Sequence, residues 1–325
     1  MKNWIVVIGS SNVDLIMKMD HLPEKGETVT DAVFMQVYGG KGANQAVAAA
    51  RAGGNVAFVN CVGEDAYTPQ MVQNFKDDGI DTRFVFHEKD IASGHALIMI
   101  GGKGMNYLSV APGANYRLTP ERIDEAMPVI REAAIILMQY EIPEATIRYV
   151  IDVANRMGIP VLWNFAPARS FDLSYVPNVD ILVLNEVEAG FLSGIPVTNE
   201  DEAEKAAEML VGKGVRMVII TLGSQGVLAV TRNEKVRVPA FTVDPVDTTG
   251  AGDTFCGSYA VAMVEGKSIS EALRFASAAA AISVTRMGAQ PSAPRRDEID
   301  GLMAGRGGFT TDFPDAHKPY VENDL

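Results

Sequence analysis

A chain of 325 residues, 47% of them hydrophobic and 21% charged, is long and apolar enough for one large α/β domain or a domain with a smaller appendage. Its 28 basic and 41 acidic residues leave a formal charge of −13, which repels phosphate backbones and anionic lipid and argues against nucleic acid or a membrane as partner. Cys61 and Cys256 stand far apart without a CxxC pattern, and His21, His87, His95 and His317 have no metal-ligand spacing, so neither a disulfide framework nor a histidine metal site is read. No apolar run approaches a membrane span or a signal-peptide core, and the expected compartment is the cytoplasm.

In chain order, residues 4–9 (WIVVIG) read as a buried strand. Residues 13–19 and 28–38 read as further strands around the turn HLPEKGE, punctuated by Pro23 and Gly26. Gly39-Gly40-Lys41-Gly42 then leads into the Ala-rich helix ANQAVAAARAGG, closed by a glycine pair. A strand (VAFVNCVG), a helix around 68–78 ending at Gly79, and a strand near 82–86 follow, and HALIMIGGKGMNYLSV reads as a hairpin.

From about residue 119 the rhythm is regular. Helix 120–131 precedes AAIILMQ, helix 144–157 precedes PVLWNF, DILVLN precedes a helix from 186, and helix 200–212 precedes MVIITLG. A hairpin near 226–238 and two long helices, 251–265 and 270–285, complete the series. This alternation predicts βαβ units and a mostly parallel sheet with helices on both faces. The β-rich stretches 13–40 and 93–111 interrupt it and are expected to form one small sheet, a lid over a ligand crevice. The expected organisation is a core of residues 1–12, 41–92 and 112–304, a lid of 13–40 and 93–111, and a loosely docked or disordered tail, 305–325.

The strongest chemical signal is DTTGAGDTFCG, residues 247–257. A glycine-rich turn opening a helix offers free N–H groups and the positive end of a helix dipole, and Gly250 and Gly252 permit close approach of an anion. Asp253 follows in the first helical turn. A carboxylate beside an anion site suits a general base for attack on phosphorus, although Asp253 would serve equally as a helix N-cap. Asn185 and Glu188 follow the strand DILVLN, where they could hold a hydrated Mg²⁺, yet Asn-x-x-Glu is also a capping box. Thr221, Gly223, Ser224 and Gly226 suit polyphosphate contacts or a plain turn.

The segment Gly39 to Asn44 is not a P-loop, because Gly42 stands where Ser or Thr is required and Met35 where the leading Gly is. Gly40, Lys41 and Asn44 could reach sugar hydroxyls or merely let the helix pack closely. No GxGxxG occurs, which argues against a dinucleotide site. Asn12 and Asp14 after the first strand, and Glu141 after IILMQY, are carboxylates and an amide placed as polyol sites place them, or are simply solvated.

Taken together and in this order, these segments resemble the ribokinase family, the phosphofructokinase-B group of sugar kinases. The likeness runs over about residues 4–304 and is carried by GGKGANQAVAAARAG and VDTTGAGDTFCG, with NFAPAR, LNEVEAG, TLGSQG and AVTRMGAQPSAP in matching places. The resemblance implies a three-layer α/β sandwich with a β-sheet lid that often mediates a homodimer, and ATP-dependent phosphorylation of the primary 5-hydroxyl of ribose. It assigns Asp253 as base and the amides of Gly250, Ala251 and Gly252 as anion hole. It places the sugar on Asn12, Asp14, Gly40, Lys41, Asn44 and Glu141, and the nucleotide on Thr221, Gly223, Ser224, Gly226, Gly252 and Ser277. Asn185 and Glu188 would organise Mg²⁺ and the phosphates. A monovalent cation, usually K⁺, would sit at Asp247, Thr249, Arg286, Gly288 and Ser292, mostly on main-chain carbonyls. Ser93 and His95 depart from the family text, His95 being expected to pack within the lid, and Pro112 before Gly113 differs slightly. The alternatives are a kinase for 2-deoxyribose or another small sugar, and, in a different class, a sugar-binding sensor without catalysis.

Overall fold

The computed structural model describes residues 3–102 and 105–305. The expectation for the tail therefore lies, beyond Gly305, outside the described residues.

Alternate side chains of β1 (Trp4–Ile8) enter two cores. Val6 and Ile8 pack with Trp163 and Phe165 on one side, Ile5 and Val7 with Phe58, Phe75 and Tyr259 on the other. A strand covered on both faces has no solvent side, so its sequence reads as an unbroken apolar run. β1 lies inside a sheet ordered β13 (Lys235–Val238), β12 (Val227–Thr231), β11 (Met217–Thr221), β10 (Ile181–Asn185), β9 (Val161–Asn164), β8 (Ala133–Met138), β1, β4 (Asn55–Gly63), β5 (Asp81–Glu88). Every pairing from β11 to β5 is parallel, and only the β11–β12–β13 meander is antiparallel.

Helices α1 (Lys41–Arg51), α2 (Thr68–Asp77), α8 (Ala251–Val264), α9 (Ile269–Ser283) and α10 (Arg296–Met303) cover one face. The other is covered by α3 (Pro120–Glu125), α4 (Met127–Ile130), α5 (Glu144–Met157), α6 (Glu186–Ser193) and α7 (Glu200–Gly212). The fold is a three-layer sandwich, a mostly parallel sheet with helices on both faces as the alternation predicts.

A second, smaller sheet has the order β3 (Val33–Gly39), β2 (Asn12–Lys18), β6 (Gly94–Ile100), β7 (Asn106–Ala111). Its β2–β6 pair is parallel, joining two separate excursions of the chain, while the outer pairs are antiparallel.

Three details differ from the sequence expectation. The helix foreseen over 120–131 is two short helices, because Pro128 has no N–H to continue the first and fits only in the opening turn of a second. The strand foreseen over 28–38 begins only at Val33, and residues 28–32 join no ladder. Helix α10 was not foreseen, although Asp297 and Glu298 supply the acidic first turn that announces a helix start.

Candidate active site

The residues singled out from sequence collect beyond the carboxyl ends of the parallel strands. β1 runs out at Ile8 into Gly9-Ser10-Ser11, and its neighbour β8 runs out at Met138 into Gln139-Tyr140-Glu141. The chain leaves β1 toward β4 on one side and reaches β8 on the other. The gap between them is thus a topological switch point, the place where open α/β sheets leave a crevice.

Helix α8 points its N-terminus at this crevice. Gly250 is the N-cap residue in the left-handed region (φ 74°), and a Cβ there would lie 2.8 Å from Ala289, so both conformation and space call for glycine. No side chain caps the helix; Asp253 therefore does not serve as the N-cap. Instead its carboxylate, 6% exposed, turns toward α1: Oδ2 accepts from Asn44 Nδ2 and Oδ1 from Gln45 Nε2, both at 2.9 Å. The Lys41 ammonium is held above its ordinary range, chiefly by the Asp253 carboxylate and further by Glu141 and Glu188, against the opposing effect of burial. The ammonium thus lies within the field of three carboxylates.

The candidate polyol residues form a second cluster. Glu141 Oε2 accepts from Ser10 Oγ at 2.6 Å and from the main-chain N–H of Lys41 at 3.0 Å. Asp14, on β2, has a buried Oδ1 without a hydrogen-bond partner, and burial, with the Glu141 charge adding to it, pushes its carboxyl up to about 7. Asn12 Oδ1 accepts from Asn115 Nδ2 at 2.9 Å. Close approach of the backbone makes this cluster possible. A Cβ on Gly39 would lie 2.2 Å from Asp14 Oδ2, and one on Gly40, at φ 88°, 2.6 Å from Ser11 Cα. Gly42 does what the packing reading expects, passing close to the Ser10 main chain.

Asn185 and Glu188 do form the capping box of α6: Asn185 Oδ1 accepts from Glu188 N at 2.8 Å, and Glu188 Oε2 from Asn185 N at 2.9 Å. Capping does not exhaust Glu188, however. It is 6% exposed, its carboxyl is raised mainly by burial, and it feels the charges of Lys41 and Asp253.

A cavity of about 350 Å³ opens on the far side of the α8 N-terminus. Its lining includes Thr221, Gly223, Ser224, Gly226, Ala251, Gly252 and Ser277, which the sequence singled out, and Ala240, Phe241, Val243, Phe255 and Val284, which it did not. The added residues are all apolar. Asp247 ties two loops together: Oδ1 accepts from Thr249 N and Oγ1, and Oδ2 from Gly288 N at 2.8 Å. The Arg286 guanidinium pairs with Glu298, while Ser292 Oγ donates to Ala289 O at 2.8 Å. His95 lies on β6 of the small sheet, its Nδ1 against Ser93 O and its ring edge-on to Tyr67.

Sequence reasoning missed Ser10, Gln45, Asn115, Gln139 and Asn164. Gln45 had a signal, since it follows Asn44 in the segment already singled out. The others lie at or beyond strand ends or, for Asn115, in a short 3₁₀ turn, and only the fold brings them together.

The chain was also compared with known proteins. Residues 2–296 match the model of the pfkB family carbohydrate kinases. The chain is 39% identical over 298 residues to a ribokinase from Haemophilus influenzae, covering 92% of this chain and 97% of that one. To a deoxyribokinase from Salmonella typhi it is also 39% identical, over 301 residues, covering 92% and 98%. The structure of Arabidopsis thaliana ribokinase complexed with ribose and ATP superposes with a TM-score of 0.88 at 35% identity, covering 93% of this chain and 99% of that one.

Proposed function

The chain belongs to the pfkB family of carbohydrate kinases, and from that premise we propose that it transfers the γ-phosphoryl group of ATP to the primary 5-hydroxyl of D-ribose, giving ribose 5-phosphate and ADP. The observation that carries this reading is Asp253: a buried carboxylate in the first turn of α8 that accepts from Asn44, while the adjoining Ala251 and Gly252 line the 350 Å³ cavity.

The nucleotide lies in the cavity with its ring against Phe241 and Val243, and its phosphates reach the amides of Gly250, Ala251 and Gly252. The sugar lies on Asn12, Asp14, Gly40, Lys41, Asn44 and Glu141. Asp14 Oδ1, which lacks a donor, receives one from a sugar hydroxyl. In the transfer step the O–H bond of the 5-hydroxyl breaks and its proton goes to Asp253. The freed oxygen bonds the γ-phosphorus, and the bond from phosphorus to the ADP oxygen breaks. The transition state is loose and its charge spread, so fixed amides and the Lys41 ammonium stabilise it without reorganising. The lid sheet excludes water, which competes with the sugar as acceptor.

Hard-cation chemistry fits the residues present. Among the described residues no group of three or more carboxylate, imidazole or thiolate side chains could hold a metal. Mg²⁺ would therefore be held mostly by phosphate and water, with Glu188 and Asn185 as its protein side. K⁺ would take carbonyl oxygens of the loops that Asp247 joins, at Thr249, Arg286, Gly288 and Ser292, and adds positive field beside the anion hole.

The outward face of the lid supports a homodimer. Leu15, Met17, Leu97, Met99 and Tyr107 alternate with Asp14, Ile16, Ala96 and Ile98 along paired strands, so they share the face turned away from Asp14, and most are exposed. Among the described residues no helix is long and apolar enough to cross a membrane. Cys61 and Cys256, buried and unbonded, suit the reducing cytoplasm.

The equal identity to the deoxyribokinase supports 2-deoxyribose as the alternative acceptor. ADP release measured over ribose, 2-deoxyribose, a hexose and a nucleoside decides. The highest kcat/KM is expected for ribose; a higher value for 2-deoxyribose would replace the substrate, and no ADP release with any sugar would make the chain a sugar-binding sensor.

A further inference from the structure

The carboxylate of Asp253 is held by a file of side-chain amides that the reaction does not consume. Gln45 Nε2 donates to Asp253 Oδ1 at 2.9 Å and to Asn164 Oδ1 at 3.0 Å. Gln139 Nε2 donates to Gln45 Oε1 at 2.7 Å, and Asn164 Nδ2 donates to the Val183 carbonyl at 3.3 Å. Gln45 and Gln139 are wholly shielded from solvent and Asn164 is 7% exposed. The file thus spans α1, the turn after β8, the end of β9 and the middle of β10.

Each orientation in the file is dictated from its ends. A carboxylate and a main-chain carbonyl only accept, so Gln45 must present its NH₂ to Asp253, and Asn164 its NH₂ to Val183. That leaves Gln45 Oε1 facing Gln139, which supplies the matching donor. Two amides, Asn44 and Gln45, then occupy one lone pair on each Asp253 oxygen and leave the others free. Buried amides of this kind are costly unless fully paired, and well-packed apolar side chains would serve stability at least as well. Their convergence on one carboxylate calls for a role in what that carboxylate does.

We infer that Gln45 is a positioning residue for the phosphoryl transfer: its carboxamide, oriented by Gln139 and Asn164, fixes the rotamer of Asp253 so that a free lone pair meets the sugar hydroxyl. The inference rests on the reading of Asp253 as the base, and its test separates the two.

Gln45→Glu keeps the shape and the acceptor for Gln139 but faces Asp253 with a second carboxylate. Two carboxylates at that separation share a proton, which must leave before Asp253 can take one from the sugar. The expected result is a kcat near neutral pH lower by about 10- to 100-fold, with KM for sugar and for ATP within about threefold. The kcat–pH profile is expected to move about one unit or more to the alkaline side, so that activity returns as pH rises. A folded Gln45→Glu protein whose kcat and profile match the parent, or whose KM values rise while kcat holds, overturns the inference. If Gln45→Glu does not fold, Gln139→Met decides: it removes only the donor that orients Gln45, and kcat is expected to fall about 3- to 10-fold at unchanged KM, an unchanged kcat counting against the inference. Asp253→Asn is measured alongside. Near-parental turnover there removes the base reading itself, whereas an inactive Asp253→Asn with a fully active Gln45→Glu removes only the role of Gln45.

Discussion

Asp14 is an acid kept in an environment that disfavours its charge. Its ordinary value near 3.8 is pushed up to about 7 by burial, with Glu141 adding to the effect. Below about pH 7 the neutral form is the favoured one. Stability linked to this group is therefore intact below about pH 4, declines as pH rises toward 7, and stays lowered above it. Asp14→Asn is expected to raise the thermal midpoint at pH 8, by the equivalent of roughly 2–4 kcal/mol at most, and to leave it unchanged at pH 4, while the KM for sugar rises. Thermal melts at the two pH values check the sign; a lower midpoint at pH 8 counts against it. Gly40 belongs to the same scale. At φ 88° with Ser11 Cα 2.6 Å from where a Cβ would sit, Gly40→Ala is expected to destabilise by about 1–3 kcal/mol or more, as read by denaturant midpoint. Residue by residue, the site was legible where glycines and a carboxylate fall in one short segment, as at 250–253. Ser10, Gln139 and Asn164 were not, because they lie at or just beyond the ends of three separate strands and only the order β9-β8-β1 makes them neighbours.

At the scale of elements, the two readings of Asn185 and Glu188 turn out to be compatible. The capping box is made in full, and the same carboxylate lies within the field of Lys41 and Asp253. The roles separate by substitution. Asn185→Ala removes the cap and is expected to cost about 1 kcal/mol of stability. Glu188→Gln keeps an acceptor for Asn185 N but discards the charge; stability is expected to hold while the Mg²⁺ concentration for half-maximal activity rises about 10-fold or more. A titration of activity against Mg²⁺ that is the same for both proteins would leave Glu188 with capping alone. Helix α8 shows the opposite outcome for a similar ambiguity, since Asp253 makes no capping bond and is free for other work. Helix starts and stops were readable where capping chemistry is local. The break at Pro128 was there to be read as well, but the apolar period running through it concealed two short helices behind one long one.

At the scale of the whole molecule, the alternation of strands and helices was enough to predict a parallel sheet with two covered faces. It could not give strand order, because nothing in a strand's own residues says which neighbour it takes. The small sheet was legible as two β-rich interruptions of that rhythm, and the parallel β2–β6 pairing follows only once both excursions rise from the same edge. Leu97 and Met99 on one excursion and Met17 on the other are exposed on its outward face, and if the proposed dimer forms there Leu97→Asp is expected to give a monomer in sedimentation velocity, with no loss of folded secondary structure. A parent protein that sediments as a monomer at tens of micromolar sinks the dimer.

In the proposed reading the phosphoryl group passes at Asp253, which accepts from Asn44 and follows directly on the cavity-lining Ala251 and Gly252. The decisive measurement is turnover of Asp253→Asn beside its binding of ATP and ribose by calorimetry. The expected result is binding of both within a few-fold of the parent and a kcat lower by about 10²- to 10⁴-fold. A kcat near the parental value, with both ligands bound as before, contradicts it.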